Sequence, residues 1–403
     1  MRILMVSDVY FPRINGVSTS IQTFINELQQ QGHFVTLIAP DYGDNSVDEF
    51  DVIRVPSRRV IVDPEDRMMR MDWVMERIDL LASCEYDLVH IQTPFVAHYL
   101  GLKLARLMGL PVVETYHTYF EEYLYNYIPW LPKPLLRLAA RRFSTSQCNS
   151  VDRVVVPSAP IEQALRRYGV RTGVDVVPTG LDLSQFEAGN GALFKEEYGI
   201  DRSRSIALYV GRMAHEKNIA FLLRAMRQTI AEMPELLFVM AGEGPAQKWA
   251  CRWVEKHGLA DNVMFVGNLD RASTLLDCYR AADLFVFASR TETQGLVLLE
   301  AMALGTPVVS TAVLGTKTVL SDGKGALIAE EDEADFSAKV ITLLRQHGSR
   351  IRLSDAAMDY VKQWSSVVMT HRLSAIYEAL WCSSLDVETL TDHPVLESEN
   401  EPG

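Results

Sequence analysis

The sequence predicts an α/β protein built of two doubly wound domains, each a parallel sheet with helices on both faces. Three observations predict this fold. The chain has 403 residues, which is too long for one ordinary core. Residues 3–39 read as strand, loop, helix and strand, and residue 206 starts the same pattern again. Residues 284–310 read as strand, polar loop, helix and strand, which is typical of a parallel sheet.

The first half of the chain alternates apolar strands with amphipathic helices. Residues 3–6 and 35–39 are predicted strands, with a loop over residues 7–17 and a helix over residues 18–30 between them. Further strands are predicted at residues 87–91, 111–115 and 154–158, with helices at residues 97–108 and 161–168. Because open α/β sheets bind ligands at the carboxyl ends of their strands, residues directly after these strands are candidates for a site.

The second half repeats this organisation. Predicted strands cover residues 206–210, 237–241, 263–267, 284–288 and 326–328, and helices follow from about residue 332 to residue 385. The predicted domains are residues 1–178 and 179–365, with residues 186–204 as a polar, glycine-containing linker. The segment 386–403 has acids and no Lys or Arg, so it is predicted to be a disordered tail.

Composition excludes several classes of protein. The formal net charge is −13, which makes nonspecific nucleic-acid binding improbable. Five scattered cysteines without a C-x-x-C pair argue for a reducing compartment and against a zinc site. No apolar run approaches the roughly 20 residues that span a bilayer, and the amino terminus lacks the layout of a signal peptide. We therefore expect a cytoplasmic protein.

A basic and aromatic stretch stands out in this acidic chain. It contains tyrosines and then Trp130, Lys133, Arg137, Arg141 and Arg142, with leucines between the arginines from residue 135 onward. Aromatic residues beside an apolar and basic helix suit a membrane interface, where each arginine contributes about 1 kcal/mol near anionic lipid. A helix that packs on its own sheet with solvated arginines is an equally good interpretation.

Two pairs of charged residues are candidates for ligand binding. Arg212 and Lys217 follow a strand and a glycine, and such cations can hold a diphosphate. Glu292 lies in the loop after the strand at residues 284–288, and Glu300 lies eight residues later in the next helix. Carboxylates at such positions can accept hydrogen bonds from sugar and ribose hydroxyls.

Several strings resemble the retaining glycosyltransferases of family 4, which have the two-domain GT-B fold. They are Gly211–Asn218 (GRMAHEKN), residues 292–309 (ETQGLVLLEAMALGTPVV), the crossover at residues 178–182 (PTGLD) and His117 after a core strand. The family usually has Phe where this chain has Gln294, and often two glycines where it has Asn15 and Gly16. The resemblance covers residues 3–385 and implies that the last helix, about residues 366–385, returns to the first domain.

The resemblance implies roles for individual residues. Catalytic roles fall to His117, Glu292, Arg212 and Lys217. The resemblance also assigns donor binding to Gly16, Glu243 and Glu300. Gly16 would cover the diphosphate, and Glu300 would bind the ribose. Glu243 lies in a glycine loop that allows a close approach to the ligand. Gln294, Gly295 and Leu296 would contact the sugar. No metal or other cofactor is expected, because Arg212 and Lys217 would neutralise the diphosphate.

The leading functional hypothesis is retaining transfer of a hexose, with UDP-glucose favoured, onto a membrane lipid such as 1,2-diacylglycerol. Residues 8–17 and 116–119 look closest to bacterial diacylglycerol glucosyltransferases. The enzyme would then associate peripherally with the inner face of the plasma membrane, through Trp130, Lys133 and the three arginines. One alternative is a GDP-mannose-dependent α-mannosyltransferase acting on a lipid or polysaccharide. Another is a catalytically silent relative that binds nucleotide sugar or lipid. The sequence leaves the oligomeric state open.

Overall fold

The structure, a computed structural model, describes residues 1–43, 48, 50–60, 67–117 and 133–391. Within these ranges the first half of the chain forms a parallel sheet of seven strands and a short antiparallel hairpin, β4 with β5. The strands are β1 (Arg2–Val6), β2 (Phe34–Pro40), β3 (Val52–Val55), β4 (Ser57–Arg59), β5 (Arg67–Met69), β6 (Leu88–Ile91), β7 (Val112–Thr115), β8 (Arg153–Val156) and β9 (Gly173–Val176).

Helices cover both faces of this first sheet. They are α1 (Gly16–Gln30), α2 (Met71–Met75), α3 (Ile78–Ala82), α4 (Val96–Met108), α5 (Lys133–Cys148) and α6 (Ala159–Tyr168). Side chains alternate between the two faces of β1. Ile3 and Met5 lie on the face that carries α1, and Leu4 and Val6 lie on the face that carries α4. This period of two is what a strand buried on both faces requires.

The second half forms a parallel sheet of six strands within the described ranges. Its strands are β10 (Ile206–Val210), β11 (Leu237–Ala241), β12 (Val263–Gly267), β13 (Leu284–Phe287), β14 (Val308–Thr311) and β15 (Ala326–Ala329). Its helices are α7 (Gly191–Glu197), α8 (Ile219–Glu232), α9 (Gln247–Lys256), α10 (Thr274–Ala281), α11 (Leu296–Ala303), α12 (Gly315–Val319), α13 (Glu333–Arg345) and α14 (His347–Val361). Single 3-10 turns lie at Leu183–Phe186, His215–Lys217 and Lys362–Trp364.

Each sheet changes direction of growth once, between β1 and β6 and between β10 and β13. The first sheet has the order β3-β2-β1-β6-β7-β8-β9, and the second has β12-β11-β10-β13-β14-β15. Ligands bind open α/β sheets at this kind of switch point, beyond the carboxyl ends of the strands. The loops after β1, β6, β10 and β13 therefore mark the place for a site, and the predicted two-domain doubly wound fold is confirmed.

The last helix, α15 (Ser366–Thr391), returns to the first sheet. Met369, Leu373 and Tyr377 are spaced by four residues, so they share one helix face, and all three are buried in the core beneath α1. The chain crosses between the sheets twice, at residues 177–182 and at residues 364–366. The two crossings run side by side, because Leu181 N–H donates to Trp364 O and Ser366 N–H donates to Leu181 O.

Two local predictions need correction. The predicted linker 186–204 contains α7, which buries Phe194 completely beside α10. The predicted disordered tail begins too early, because α15 continues to Thr391. Glu is an ordinary helix former, so acidic residues in this stretch are compatible with a helix. The rest of that tail lies outside the described residues. Among the described residues, no helix is long and apolar enough to cross a membrane.

Candidate active site between the two sheets

The carboxyl edges of the two sheets face each other where the loop after β13 contacts the first half of the chain. Ser158, just after β8, donates its hydroxyl to Thr293 O at 2.7 Å. Gln294 binds the crossover through both ends of its side-chain amide, accepting from Thr179 N–H at 2.8 Å and donating to Thr179 O at 2.7 Å. Thr179 in turn donates its hydroxyl to Ser20 Oγ of α1 at 2.7 Å. These hydrogen bonds hold the loop after β13 against the crossover and against the first sheet's carboxyl edge.

Main-chain contacts between glycine loops position Arg212. A methyl group added at Gly242, whose φ is +118°, would lie 2.2 Å from Gly211 O, and one added at Gly244 would lie 2.4 Å from Met213 O. Met213 N–H donates to Glu243 O at 2.9 Å. Glycine is required here because the loops after β10 and β11 approach backbone to backbone. Arg212 and Glu243 are both exposed at this edge, and no described residue forms an ion pair with Arg212.

Lys217 and Glu292 lie in contact. The sequence predicts that they bind different parts of one ligand. Lys217 Nζ is 2.5 Å from Glu292 Oε1, and each side chain is about one-fifth exposed. The 3-10 turn over His215–Lys217 and the left-handed backbone of Asn218, with φ of +59°, aim Lys217 toward the loop after β13. A cation beside a carboxylate can hold a phosphate while the carboxylate holds a neighbouring hydroxyl.

The loop after β13 ends in the amino terminus of α11. Gly295 precedes the helix with a φ of +94°, a conformation that glycine adopts without strain. Leu296 is the first helical residue, so its N–H group and those that follow it have no partner inside the helix. Such groups favour an anion or an acceptor oxygen at this end of the helix. The predicted contact through Gln294 is more restricted, because its side chain is 5% exposed and engaged with Thr179. Only its main chain is left for a ligand.

Glu300 is more enclosed than the sequence predicts. It is 2% exposed, and its carboxylate accepts from Arg271 Nη2 at 2.5 Å and from the Tyr279 hydroxyl at 3.0 Å. The Glu300 carboxylate holds the pKa of Arg271 above its ordinary value, and burial raises that of Tyr279. A carboxylate has about four acceptor positions, so Glu300 can still accept a ribose hydroxyl. Sequence reasoning missed Arg271 and Tyr279, because no motif surrounds either residue.

On the facing edge, Gly16 begins α1. The side chain of Asn15 caps this helix by accepting from Val17 N–H and Ser18 N–H at 3.0 and 2.9 Å. A methyl group added at Gly16 would meet nothing within 4 Å. Open space above Gly16 fits its predicted role of approaching a diphosphate from the first domain.

Asp8, in the same loop as Gly16, holds two strand ends together. Its carboxylate accepts from the Thr93 hydroxyl at 2.9 Å and from Phe95 N–H and Ala97 N–H at 3.1 and 3.0 Å. Burial raises the pKa of Asp8 to about 6, against the effect of these hydrogen bonds. The carboxylate therefore fixes the loop after β1 to the start of α4, beside the switch point of the first sheet.

His117 lies two residues beyond the end of β7. Its Nε2 is 3.0 Å from Gln92 Oε1, and burial lowers the pKa of His117 to about 4. The imidazole is therefore neutral at pH 7, as its predicted role at a donor sugar requires. Among the described residues, no group of three His, Cys, Asp or Glu side chains is arranged to hold a metal ion.

Comparison with known proteins agrees with this geometry. The family described as Glycosyltransferase Family 4 matches residues 14–185, and Glycosyl transferases group 1 matches residues 192–359. An alpha-monoglucosyldiacylglycerol synthase of Streptococcus pneumoniae is 34% identical over 319 residues, which are 77% of this chain and 71% of the relative. The chain belongs to glycosyltransferase family 4. It is a transferase.

Two further relatives of this glycosyltransferase cover most of its length. An alpha-monoglucosyldiacylglycerol synthase of Acholeplasma laidlawii is 27% identical over 83% of this chain and 86% of the relative. A GDP-mannose-dependent alpha-mannosyltransferase of Mycolicibacterium smegmatis is 27% identical over 94% of this chain and 98% of the relative. The expected family is confirmed, and its named members use more than one sugar.

Solved structures confirm the GT-B fold. A sucrose-phosphate synthase from Thermosynechococcus elongatus superposes with a TM-score of 0.76 at 22% identity, covering 95% of this chain and 99% of that chain. Anabaena HepE, solved in complex with UDP-glucose, superposes with a TM-score of 0.73 at 17% identity over 94% of this chain and 100% of its own. At these identities the comparison concerns the fold alone.

The basic helix α5 of the glycosyltransferase has two different faces. Leu136 and Ala140 are buried, with Ala140 in the core of the first domain, whereas Leu135 and Leu138 are 54% and 48% exposed. Arg137, Arg141 and Arg142 lie on the exposed side, and the Arg141 guanidinium is 5.3 Å from the centre of the Tyr168 ring. The helix therefore packs on its own domain through one face and leaves the other face exposed. Lys133 begins the helix, and Trp130 lies outside the described residues.

Proposed function

We propose that this glycosyltransferase moves glucose from UDP-glucose, with retention of the α configuration, onto a membrane lipid acceptor of the diacylglycerol type. The observation that carries the lipid part is the outer face of α5. Two half-exposed leucines, Leu135 and Leu138, stand between arginines there. Leucines can enter the acyl boundary while arginines remain at anionic head groups. The names of the relatives in Streptococcus and Acholeplasma support glucose and diacylglycerol.

The donor part of the proposal uses the residues of the cleft. Arg212 and Lys217 would hold the diphosphate and neutralise the charge that builds up as the glycosidic bond breaks. Gly16 and the N–H groups at the start of α11 would approach the same phosphates. Two cations and these N–H groups suffice for that charge, so we propose transfer without an essential metal. Chelation with EDTA should leave the rate unchanged, and restoration of a lost rate by magnesium would contradict this part.

The carboxylates and the histidine would hold the two sugars of the donor. Glu292 and the main chain of Gln294 and Gly295 would bind hydroxyls of the transferred sugar. Glu300 would bind the ribose, with Arg271 retained as its partner. The neutral imidazole of His117 would meet the sugar from the facing edge. A protein that holds the donor from both edges of the cleft also excludes water from it, which limits hydrolysis.

The decisive experiment measures which labelled nucleotide sugar gives a lipid product. The protein is incubated with vesicles of phosphatidylglycerol and diacylglycerol and with either UDP-[14C]glucose or GDP-[14C]mannose. We expect chloroform-soluble label only with UDP-glucose and only with diacylglycerol present, and NMR of the product should show an α linkage. Label from GDP-mannose, together with tight GDP and weak UDP binding by calorimetry, would replace this proposal with the mannosyltransferase alternative, which the Mycolicibacterium relative represents.

Flotation of vesicles tests the membrane surface. We expect L135E/L138E to lose binding to vesicles that contain phosphatidylglycerol while it keeps calorimetric UDP binding. The matched control is Leu193→Glu, because Leu193 is 55% exposed on α7 of the other domain. Equal flotation of the double variant and the wild type would refute the assignment of α5 to the membrane.

A further inference from the structure

A chain of buried polar side chains connects His117 to the last helix. Gln92 follows β6 and is 1% exposed, as is His90 on the same strand. Gln92 Oε1 lies 3.0 Å from His117 Nε2, and Gln92 Nε2 lies 3.1 Å from His90 Nδ1. Tyr377 of α15 is fully buried, and its hydroxyl is 2.6 Å from His90 Nδ1. His90 Nε2 is 2.7 Å from Thr115 Oγ1.

The contacts of Gln92 fix the orientation of its side-chain amide. The amide nitrogen lies 3.1 Å from His90 Nδ1 and 3.3 Å from His90 Nε2, and it donates to Met5 Sδ at 3.7 Å. It therefore faces the His90 ring, whose two nitrogens are held by the hydroxyls of Tyr377 and Thr115. Burial lowers the pKa of His90 to about 3, in agreement with an uncharged ring. The amide of Gln92 is thereby oriented with its oxygen toward His117.

We propose that Gln92 is a positioning residue that fixes both the ring orientation and the tautomer of His117. A carbonyl oxygen can only accept, so Nε2 of His117 holds the proton and donates to Gln92 Oε1. The Nδ1 atom then keeps its lone pair and is the acceptor that His117 offers to a ligand in the cleft. That the ligand is the donor sugar rests on the proposed function, whereas the tautomer is a property of the protein alone.

Through this network, Tyr377 can influence His117 although it lies outside the cleft. The second nitrogen of a functional histidine is commonly held by a partner that sets its tautomer. Here the partner is an amide, whose own orientation depends on His90 and, through it, on Tyr377. A single hydrogen bond from α15 therefore contributes to the state of a ring that lies after β7.

The test measures the tautomer directly in the full-length protein without ligand. Long-range 1H–15N correlation spectra of 15N-histidine protein at pH 7 should show His117, assigned with H117N, protonated on Nε2 and unprotonated on Nδ1. Gln92→Glu keeps an oxygen toward His117 and should preserve this pattern. Gln92→Leu should give mixed tautomers. Protonation of wild-type His117 on Nδ1, or an unchanged tautomer in Gln92→Leu, would overturn the proposal.

A matched control separates positioning from general damage to the first domain. Gln147 is a buried glutamine on α5 whose amide donates to Pro94 O at 2.5 Å. Gln147→Leu should lower the thermal midpoint as Gln92→Leu does, yet leave the His117 tautomer as in the wild type. In the transferase assay, Gln92→Leu should lower kcat by about tenfold or more while UDP affinity changes less than threefold. A correct tautomer without any glucosyl transfer would refute the proposed function and leave this inference standing.

Discussion

Gly315 allows the sharpest test of how the loop after β13 is held, because its backbone touches that loop. Gly315 begins α12 and donates its N–H to Glu292 O at 2.9 Å. A methyl group at this position would lie 2.0 Å from Thr293 O and 2.5 Å from Gln294 N. Both neighbours are main-chain atoms, so no side chain can turn aside to make room. In Gly315→Ala the loop that carries Glu292 must shift.

The size of the effect follows from these distances. Nonbonded carbon and oxygen atoms need roughly 3.3 Å, so the loop has to shift by about 1 Å. Overpacking of this kind costs about 1–3 kcal/mol, which for a domain of this size lowers the thermal midpoint by about 3–10 °C. A displacement of 1 Å in a binding loop can reduce turnover about 100-fold. We therefore expect Gly315→Ala to lose both stability and activity.

Thermal unfolding, calorimetry with UDP and the transferase assay measure these effects. Gly348→Ala is the matched control, since a methyl group there meets only Arg352 Nη1, at 3.6 Å, on the surface of α14. The control should match the wild type in all three measurements. A Gly315→Ala protein with wild-type midpoint and turnover would show that Gly315 does not support the loop. The stability measurement needs no ligand, so it holds even if the donor is not UDP-linked.

Three further perturbations lower activity or stability by different amounts. Lys217→Met should reduce turnover about 100-fold or more but change the free energy of unfolding by at most about 1 kcal/mol, because its pairing with Glu292 is partly exposed. Arg271→Met removes the cation from the buried Glu300 and should destabilise the protein by about 1–3 kcal/mol in urea unfolding. Burial lowers the pKa of His90 to about 3, so below pH 6.5 the unfolded protein takes up a proton that the folded protein does not. Acidification from pH 7 to 5 should therefore destabilise the wild type by about 2 kcal/mol more than His90→Gln.

The controls use residues of the same type on the same domain. Lys248→Met, at an exposed position on α9, should leave turnover unchanged, and an equal loss in both lysine variants would remove the assigned role of Lys217. Arg252→Met, also on α9, is the control for Arg271→Met and should leave the free energy of unfolding unchanged. An equal loss of stability in both arginine variants would indicate a general effect of lost positive charge. Parallel stability profiles of the wild type and His90→Gln between pH 7 and 5 would mean that His90 titrates normally.

The sequence predicts the sheets and the loops of this protein well, for a local reason. Apolar runs such as residues 284–288 are buried on both sides in a parallel sheet, so they can be recognised as strands from the local sequence alone. The ligand-facing loops then follow from the rule that parallel strands bind at their carboxyl ends. Arg212, Lys217 and Glu292 were predicted in this way, and the structure places Lys217 and Glu292 in contact.

The partners of these residues could not be predicted, because they are distant in the chain. Arg271 and Glu300 are separated by 29 residues, and Gln294 and Thr179 by 115. Nothing in the composition around Arg271 distinguishes it from a solvated arginine. Gln294 occupies a position where the family usually has Phe, and only the structure shows that its amide forms two hydrogen bonds to the crossover.

The two local errors have a common cause. Residues 186–204 look like a linker because they are polar and contain glycine, yet Phe186, Phe194 and Ile200 are buried in the core of the second domain, and Phe194 fixes α7 there. Gly191 has a separate reason to be glycine, since a methyl group there would lie 2.6 Å from Arg280 O. Composition averages over a segment and cannot show which residues are buried. For the same reason, the acidic composition after residue 385 placed the predicted end of the last helix before its observed end at Thr391.

The contacts that join the two domains around the crossover are of one chemical kind. Thr179 contacts Ser20 and Gln294, Ser158 contacts Thr293 O, and Ser366 donates to Glu27 at 2.5 Å. Each is a hydrogen bond from a small or amide side chain, and such bonds exchange with water at a net cost of about 1 kcal/mol. The apolar cores, in contrast, are closed within each sheet. Opening of the cleft about the crossover would therefore break these hydrogen bonds without opening either apolar core, which is what repeated donor entry and product release require.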